Sequence, residues 1–161
     1  MSKMQALVKK FSSDGRVDWI GLRPERRAPM LVVDEVEVTA TGLVGDRRKS
    51  PGKRAVTLIQ AEHLPVIAAF AGLETVAPEI LRRNILVSGI NLLALRHHEI
   101  RIDDVILRTT GPCAPCSLME DAMGYGGYNA MRGHGGLTAE VVQGGTIKVG
   151  SVVTPVLPAD D

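Results

Sequence analysis

The sequence predicts a mainly β protein, a closed or nearly closed β-barrel carrying a few inserted short helices, and three observations predict it. Short β-branched runs recur along the chain, as in Val56-Thr57-Leu58-Ile59 and Val105-Ile106-Leu107. Val36, Val38 and Ala40 alternate with Glu35, Glu37 and Thr39, the period of two expected of a half-buried strand. Only one stretch, Gln60–Leu73, is long enough for a substantial helix. Many strands with so little helix favour a closed sheet, with an open α+β sheet as the alternative.

Taken in order, Gln5–Phe11 and Trp19–Leu22 read as strands around a Ser-Ser-Asp-Gly turn. Met30–Thr41 reads as a strand, followed by a glycine-bounded, cation-rich loop from Thr41 to Lys49. Ala55–Ile59 is a further strand. In the helix Gln60–Leu73, Pro65 is tolerated in the first turn and Gly72 is a natural stop. Pro78–Arg82 predicts a second, short helix, and Asn84–Val87 a strand closed by Ser88-Gly89. Glu99–Ile102 and Asp104–Thr110 predict strands around an Asp-Asp corner, and Ser117–Met123 a short helix with Glu120 and Asp121 near its start. Met123–Gly136 is rich in glycine, so its backbone is expected to lie close to a ligand or to another backbone. Leu137–Val142, the turn Gln143-Gly144-Gly145 and Thr146–Val153 carry a hairpin signature. The tail from Pro155 is expected to fray.

At 161 residues, 45% of them apolar, the chain fits one globular domain spanning residues 1–161. A formal net charge of +1 gives no general attraction to nucleic acid or to an anionic membrane. Aromatic residues make up 3%, too few for a base-stacking platform. No segment approaches a membrane span or a signal peptide, so a cytoplasmic location is expected.

The two cysteines lie in Gly111-Pro112-Cys113-Ala114-Pro115-Cys116, where a strand hands over to a short helix. A cysteine at a helix start meets the positive end of the dipole and unpaired N–H groups, which favour thiolate. Four readings are open: a redox dithiol, half of a structural zinc site, an inert buried pair, and a single reactive cysteine. The last is preferred, with Cys116 as the nucleophile or metal ligand, because Pro115 pins the backbone before it. The polar concentrations Gly45-Asp46-Arg47-Arg48 and Arg82-Arg83-Asn84 suit an anionic small molecule, since guanidinium binds phosphate oxygens in pairs. Against that stands the plain reading of Arg47–Arg54 as a solvated loop. His63, His97, His98 and His134 read as structural or surface residues.

Together these residues resemble the MOSC domain, named for the C-terminal part of molybdenum cofactor sulfurases. The matching pieces are Gly42-Leu43-Val44-Gly45-Asp46-Arg47, Val56–Glu62, Arg83-Asn84-Ile85 with Gly89, Pro115-Cys116, and Gly144–Gly150, in the family's order and spanning about residues 31–153. This chain reads Arg48 where many relatives have His. The resemblance implies a β-barrel that handles the molybdenum cofactor (molybdopterin) or sulfur destined for it. It implies Cys116 as catalytic residue and molybdenum ligand, with Asp46, Arg47, Lys53, Arg83, Asn84, Gly135 and Gly136 around the cofactor. Of the implied activities, reduction of N-hydroxylated small molecules leads. Persulfide transfer, with Cys113 able to resolve the persulfide as a disulfide, and non-catalytic cofactor carriage are the alternatives. The pyridoxal-phosphate module of the full sulfurases has no counterpart here, so electrons or sulfur are expected from a partner protein.

Overall fold

The computed structural model of the protein describes residues 2–48 and 50–157. Its strands are β1 (Gly15–Leu22), β2 (Leu31–Val33), β3 (Glu35–Thr39), β4 (Gly42–Leu43), β5 (Val56–Gln60), β6 (Ile85–Ser88), β7 (Glu99–Ile102), β8 (Val105–Pro112), β9 (Leu137–Gln143), β10 (Gly145–Lys148) and β11 (Val152–Val156). The α-helices are α1 (Lys3–Leu7), α2 (Leu64–Ala71), α3 (Pro78–Leu81), α4 (Leu118–Met123) and α5 (Gly127–Met131).

Seven strands close on one another in the order β11, β7, β8, β9, β5, β6, β1, with β1 returning to β11 through Gly15 and Arg16. Closure removes the edges that an open sheet of this composition would leave for aggregation. β2 extends β1 beyond the closure, and β10, β3 and β4 form a separate three-stranded sheet. The barrel pairs are antiparallel except β5 with β6. A parallel neighbour cannot be reached by a tight turn. The chain between β5 and β6 therefore crosses over through α2 and α3, which explains where two of the helices lie.

All five residues of β5 are buried, because both of its faces are covered. Val56 and Leu58 point into the barrel core with Val17, Ile20, Ile85, Ile100 and Leu107. Ile59 points the other way, into a second core with Ile67, Leu81, Leu86, Met119 and Met131 contributed by β6 and the helices. Thr57 shares this outward face by the period of two. Among the described residues no helix is long and apolar enough to cross a membrane.

Four local expectations change. Gln5–Phe11 is not a strand: Ser2 and Gln5 form a reciprocal capping box, and the chain turns into α1, which buries none of its residues. Met30–Thr41 is interrupted at Asp34, so that β2 pairs with β1 and β3 pairs with β10. Leu137–Val153 is not a hairpin, since β9 pairs with β8 and β5 while β10 leaves for β3. Gly144 permits that exchange, because a side chain there would collide with the Val38 carbonyl. Pro155 and Val156 are not frayed but pair with Ile100 and Glu99, while the rest of the tail lies outside the described residues.

Gly136 sits where β9 begins, at φ +86°, with the Leu58 carbonyl where a Cβ would stand and the Ile59 Cα 3.0 Å from that point. Gly136→Ala is expected to cost about 2–4 kcal/mol through the left-handed backbone and the forced separation of β9 from β5. A lower urea midpoint with unchanged slope would report it.

Candidate functional site

The strand β8 ends one residue short of Cys113, and backbone contacts then fix the path to α4. The Cys113 N–H donates to the Gly136 carbonyl at 2.8 Å, and the Cys116 carbonyl accepts from the Met119 N–H at 3.0 Å. Arg83 does the rest. Its Nε donates to the Gly135 carbonyl at 2.8 Å, and Nη2 to the carbonyls of Ala114 at 3.0 Å and Cys113 at 3.4 Å, while Nη1 reaches the Leu81 carbonyl at 3.2 Å. One buried guanidinium thus ties the cysteine loop to the turn before β9. Burial lowers its pKa from the ordinary arginine value, with the neighbouring Cys113 opposing. Cys113 is buried beneath the loop and Cys116 is exposed, both as free thiols.

Beside Arg83, Asn84 is fully buried with its side chain satisfied. Its Oδ1 accepts from the N–H and the hydroxyl of Thr57, and its Nδ2 donates to the Gly21 carbonyl and to Asp46 Oδ1. Asp46 in turn accepts from the Arg23 backbone N–H at 2.7 Å and from its guanidinium, Nη2 to Oδ2 at 3.1 Å. The carboxylate is 1% exposed and every bond to it is charge-assisted, so the pair is anchored rather than exchangeable. Strands β1, β5 and β6 are locked together at this point.

Over this lock opens a cavity of about 580 Å³, lined by Cys113, Ala114, Cys116, Ser117, Leu118, Thr57 and eight arginines: 23, 26, 27, 47, 48, 54, 82 and 83. The chain has thirteen arginines and six lysines, yet among the described residues no lysine and no acid lines the cavity. With +8 of formal charge from these arginines in a chain of net +1, everything else sums to −7. Arg82 donates to the carbonyls of Ala28 and Glu25. Burial, then the charges of Arg23 and Arg47, push its guanidinium below the usual arginine range. Among the described residues, the side chains of Arg26, Arg27, Arg47 and Arg54 make no hydrogen bond or ion pair with the protein. Crowded, unpaired guanidinium groups repel one another until an anion enters, and their planar forks match phosphate.

The family model for the MOSC domain matches residues 22–154. The chain belongs to the MOSC domain family. The crystal structure of the YuaD protein from Bacillus subtilis superposes with a TM-score of 0.78 at 17% identity, covering 89% of this chain and 97% of that one. YiiM from Escherichia coli gives 0.69 at 19% identity over 91% and 72% of the two chains, and YiiM from Geobacillus stearothermophilus 0.72 at 15% over 89% and 75%. At these identities the likeness concerns the fold. No curated protein matches the sequence at a comparable level of significance.

Within this MOSC domain the residues singled out by sequence take different positions. Cys116 and Arg47 line the cavity. Asp46 lies beneath it and orients Arg23, not Arg47 or Arg83. Arg83 lines it but spends four donations on backbone carbonyls, so it serves chiefly to hold the cysteine loop. Lys53, Asn84, Gly135 and Gly136 are not among the lining residues. The glycines are where they are because the backbones of Cys113 and Leu58 come too close for a Cβ. Lys53 is exposed, and its carbonyl accepts from the Thr110 hydroxyl. Arg82, part of the Arg82-Arg83-Asn84 concentration, does line the cavity, whereas Arg23, Arg26, Arg27 and Arg54 were not singled out. The cluster Arg23-Pro24-Glu25-Arg26-Arg27, with arginine far outnumbering lysine, was the available signal. His63 and His134 meet edge to face, their Nδ1 atoms 3.3 Å apart, away from the cavity. Burial, then the His134 charge, pushes the His63 imidazole down from its ordinary value.

The cavity residues fit the cofactor associated with this family. A pterin dithiolene with a phosphate needs an anion cradle, room of a few hundred Å³ and a soft ligand for the metal. The unpaired arginines, the volume and the exposed Cys116 thiol meet those needs. Among the described residues no cluster of three or more His, Cys, Asp or Glu side chains could hold a metal without such a cofactor.

Proposed function

We propose that this MOSC domain binds the molybdenum cofactor in the arginine cavity, with Cys116 as the protein's ligand to the metal, and reduces N-hydroxylated compounds with electrons from a partner protein. The observation that carries this reading is a cavity that, among the described residues, sets four unpaired guanidinium groups beside one exposed thiol and is lined by no acid. Arg47, Arg54, Arg26 and Arg27 hold the phosphate and the pterin's polar edge. Arg83 sets the Cys116 backbone by gripping the carbonyls of Cys113 and Ala114. Asp46 holds Arg23 in place from below.

When bound, the cofactor supplies a metal centre able to take up the hydroxyl oxygen. The overall conversion is R–NHOH + 2e⁻ + 2H⁺ → R–NH₂ + H₂O, the electrons coming from the partner. Among the described residues the polar groups of the lining are arginines, hydroxyls and thiols, and arginine does not release its proton near neutrality. The protons are drawn from water, and the exposed Ser117 hydroxyl on the lining can relay one.

Sulfur transfer is the second reading, favoured by Cys113 lining the same cavity as Cys116. A persulfide on Cys116 attacked by the Cys113 thiol gives a disulfide and hydrogen sulfide, which balances without an outside oxidant. The double variant Arg47→Gln/Arg54→Gln separates the cofactor reading from a fortuitous cavity. Apo protein reloaded with released cofactor should lose affinity at least tenfold in the variant, with a weaker salt dependence, because two charge-assisted pairs are gone. Equal affinity and equal salt dependence would remove the arginine cradle.

A further inference from the structure

Arg82 and Arg83 are consecutive and line one cavity, yet they hold different walls of it. Arg83 grips the cysteine loop. Arg82 turns to the loop between β1 and β2. Its Nη1 donates to the Ala28 carbonyl at 2.7 Å and its Nη2, at the longer distance of 3.5 Å, to the Glu25 carbonyl. This loop carries Arg26 and Arg27, two of the four unpaired guanidinium groups. Its ends are fixed. Arg23 is held by Asp46 and by the Arg47 N–H, which donates to the Arg23 carbonyl at 2.7 Å, and Leu31 pairs with Leu22. Between these ends the Ala28 N–H closes a turn on the Glu25 carbonyl at 3.3 Å, and Pro24, Glu25, Arg26, Arg27 and Pro29 are exposed. Among the described residues, the only hydrogen bonds that reach residues 24–30 from elsewhere come from Arg82.

The backbone of Arg82 adds a second observation. It caps α3 in the left-handed region, at φ +57° and ψ +39°, where glycine is accommodated at least cost. A long side chain at such a position has to be accounted for by what its head does. Arg27, beside the carbonyl that Arg82 holds, is left-handed as well, at φ +64°. An exposed turn with a strained residue keeps one shape only if something outside it ties it down. We infer that Arg82 is a positioning residue, a latch that holds the β1–β2 loop at the cavity and so sets Arg26 and Arg27 for an incoming anion. The planar fork suits that task, since an ammonium group could not span two carbonyls in the same way. The inference deepens the proposed cofactor site and rests on it for the identity of the anion.

Cofactor-free protein and inorganic pyrophosphate test the latch. Arg82→Gly removes it at a backbone position suited to glycine, and Arg82→Asn does so with a residue that also tolerates that region. In both variants trypsin should cut after Arg26 and Arg27 at least about tenfold faster than in the parent protein, with cleavage elsewhere unchanged. Both should also bind pyrophosphate about tenfold more weakly. In an Arg26→Gln/Arg27→Gln background, Arg82→Gly should alter that affinity by less than about twofold, because the latch acts through the two residues already replaced. An undiminished loss in that background would make Arg82 a direct ligand of the anion and overturn the latch. Unchanged cleavage after Arg26 and Arg27, or faster cleavage spread along the whole chain, would overturn it too. A parent protein that does not bind pyrophosphate would count against the arginine cradle of the proposed function, and the cleavage pattern would still decide the latch.

Discussion

Asn84→Ala is expected to lower stability by about 3–4 kcal/mol, the largest loss of any single polar substitution in this protein. The side chain is fully buried and makes four hydrogen bonds, to the Thr57 N–H and hydroxyl, the Gly21 carbonyl and Asp46. Its removal strands a buried donor on β5 and a carbonyl on β1, and takes a donor from a carboxylate that is 1% exposed. Each orphaned group costs about 1–3 kcal/mol, partly offset by relaxation and entering water. Asn84→Asp retains the oxygen facing Thr57 but sets a second carboxyl against Asp46, at the position where Nδ2 now sits 3.2 Å from Oδ1. Its destabilisation should therefore shrink as pH falls and one of the two carboxyls takes a proton. Urea unfolding across pH distinguishes the two variants. An Asn84→Ala loss below about 1 kcal/mol would show that β1, β5 and β6 do not depend on this lock.

Cys116→Ala should leave the fold intact and reduce N-hydroxyl reduction by the loaded protein at least a hundredfold. Cys116 is exposed, and exposed substitutions away from packed features usually change stability by less than about 0.5 kcal/mol. Cys113→Ala should show the opposite pattern. That thiol is buried, so its removal is expected to cost about 1 kcal/mol while reduction continues. Were sulfur transfer the activity instead, Cys113→Ala would lengthen the lifetime of a Cys116 persulfide, because no neighbouring thiol remains to attack it. Parallel measurement of melting temperature and turnover in both variants separates a ligand from a packing residue. Equal turnover in Cys116→Ala and the parent protein would exclude Cys116 from the chemistry.

The barrel was legible in the sequence because half-buried strands write their geometry as a period of two. Glu35–Thr39 shows it, while Val56–Gln60, buried on both faces, was legible as a short β-branched run, and Gly72 ends α2 at φ +70°, as a left-handed stop should. Pairing was less legible. The Gln143-Gly144-Gly145 turn signals a reversal, but nothing local says that β10 will leave β9 for β3, which lies more than a hundred residues earlier. At the site, Pro115-Cys116 and Gly45-Asp46-Arg47 stood out as motifs, and Cys116 and Arg47 do line the cavity. The roles of Arg83 and Asn84 were not legible, because a polar pair beside a strand reads the same whether it faces a ligand or the backbone of another strand. Arg23, Arg26, Arg27 and Arg54 come from two separate loops, and their convergence exists only after folding. The glycines at 135 and 136 were expected near a ligand or another backbone, and the backbones of Cys113 and Leu58 do lie against them.

The most direct measurement is the molybdenum and oxidised-pterin content of the protein purified without air from a molybdate-fed host, alongside Cys116→Ser. Near-stoichiometric metal and pterin in the parent protein, with the metal lost or loosened in Cys116→Ser, is the expected result. A folded protein carrying neither metal nor pterin would contradict cofactor binding in the arginine cavity. Equal metal in both proteins would contradict Cys116 as its ligand.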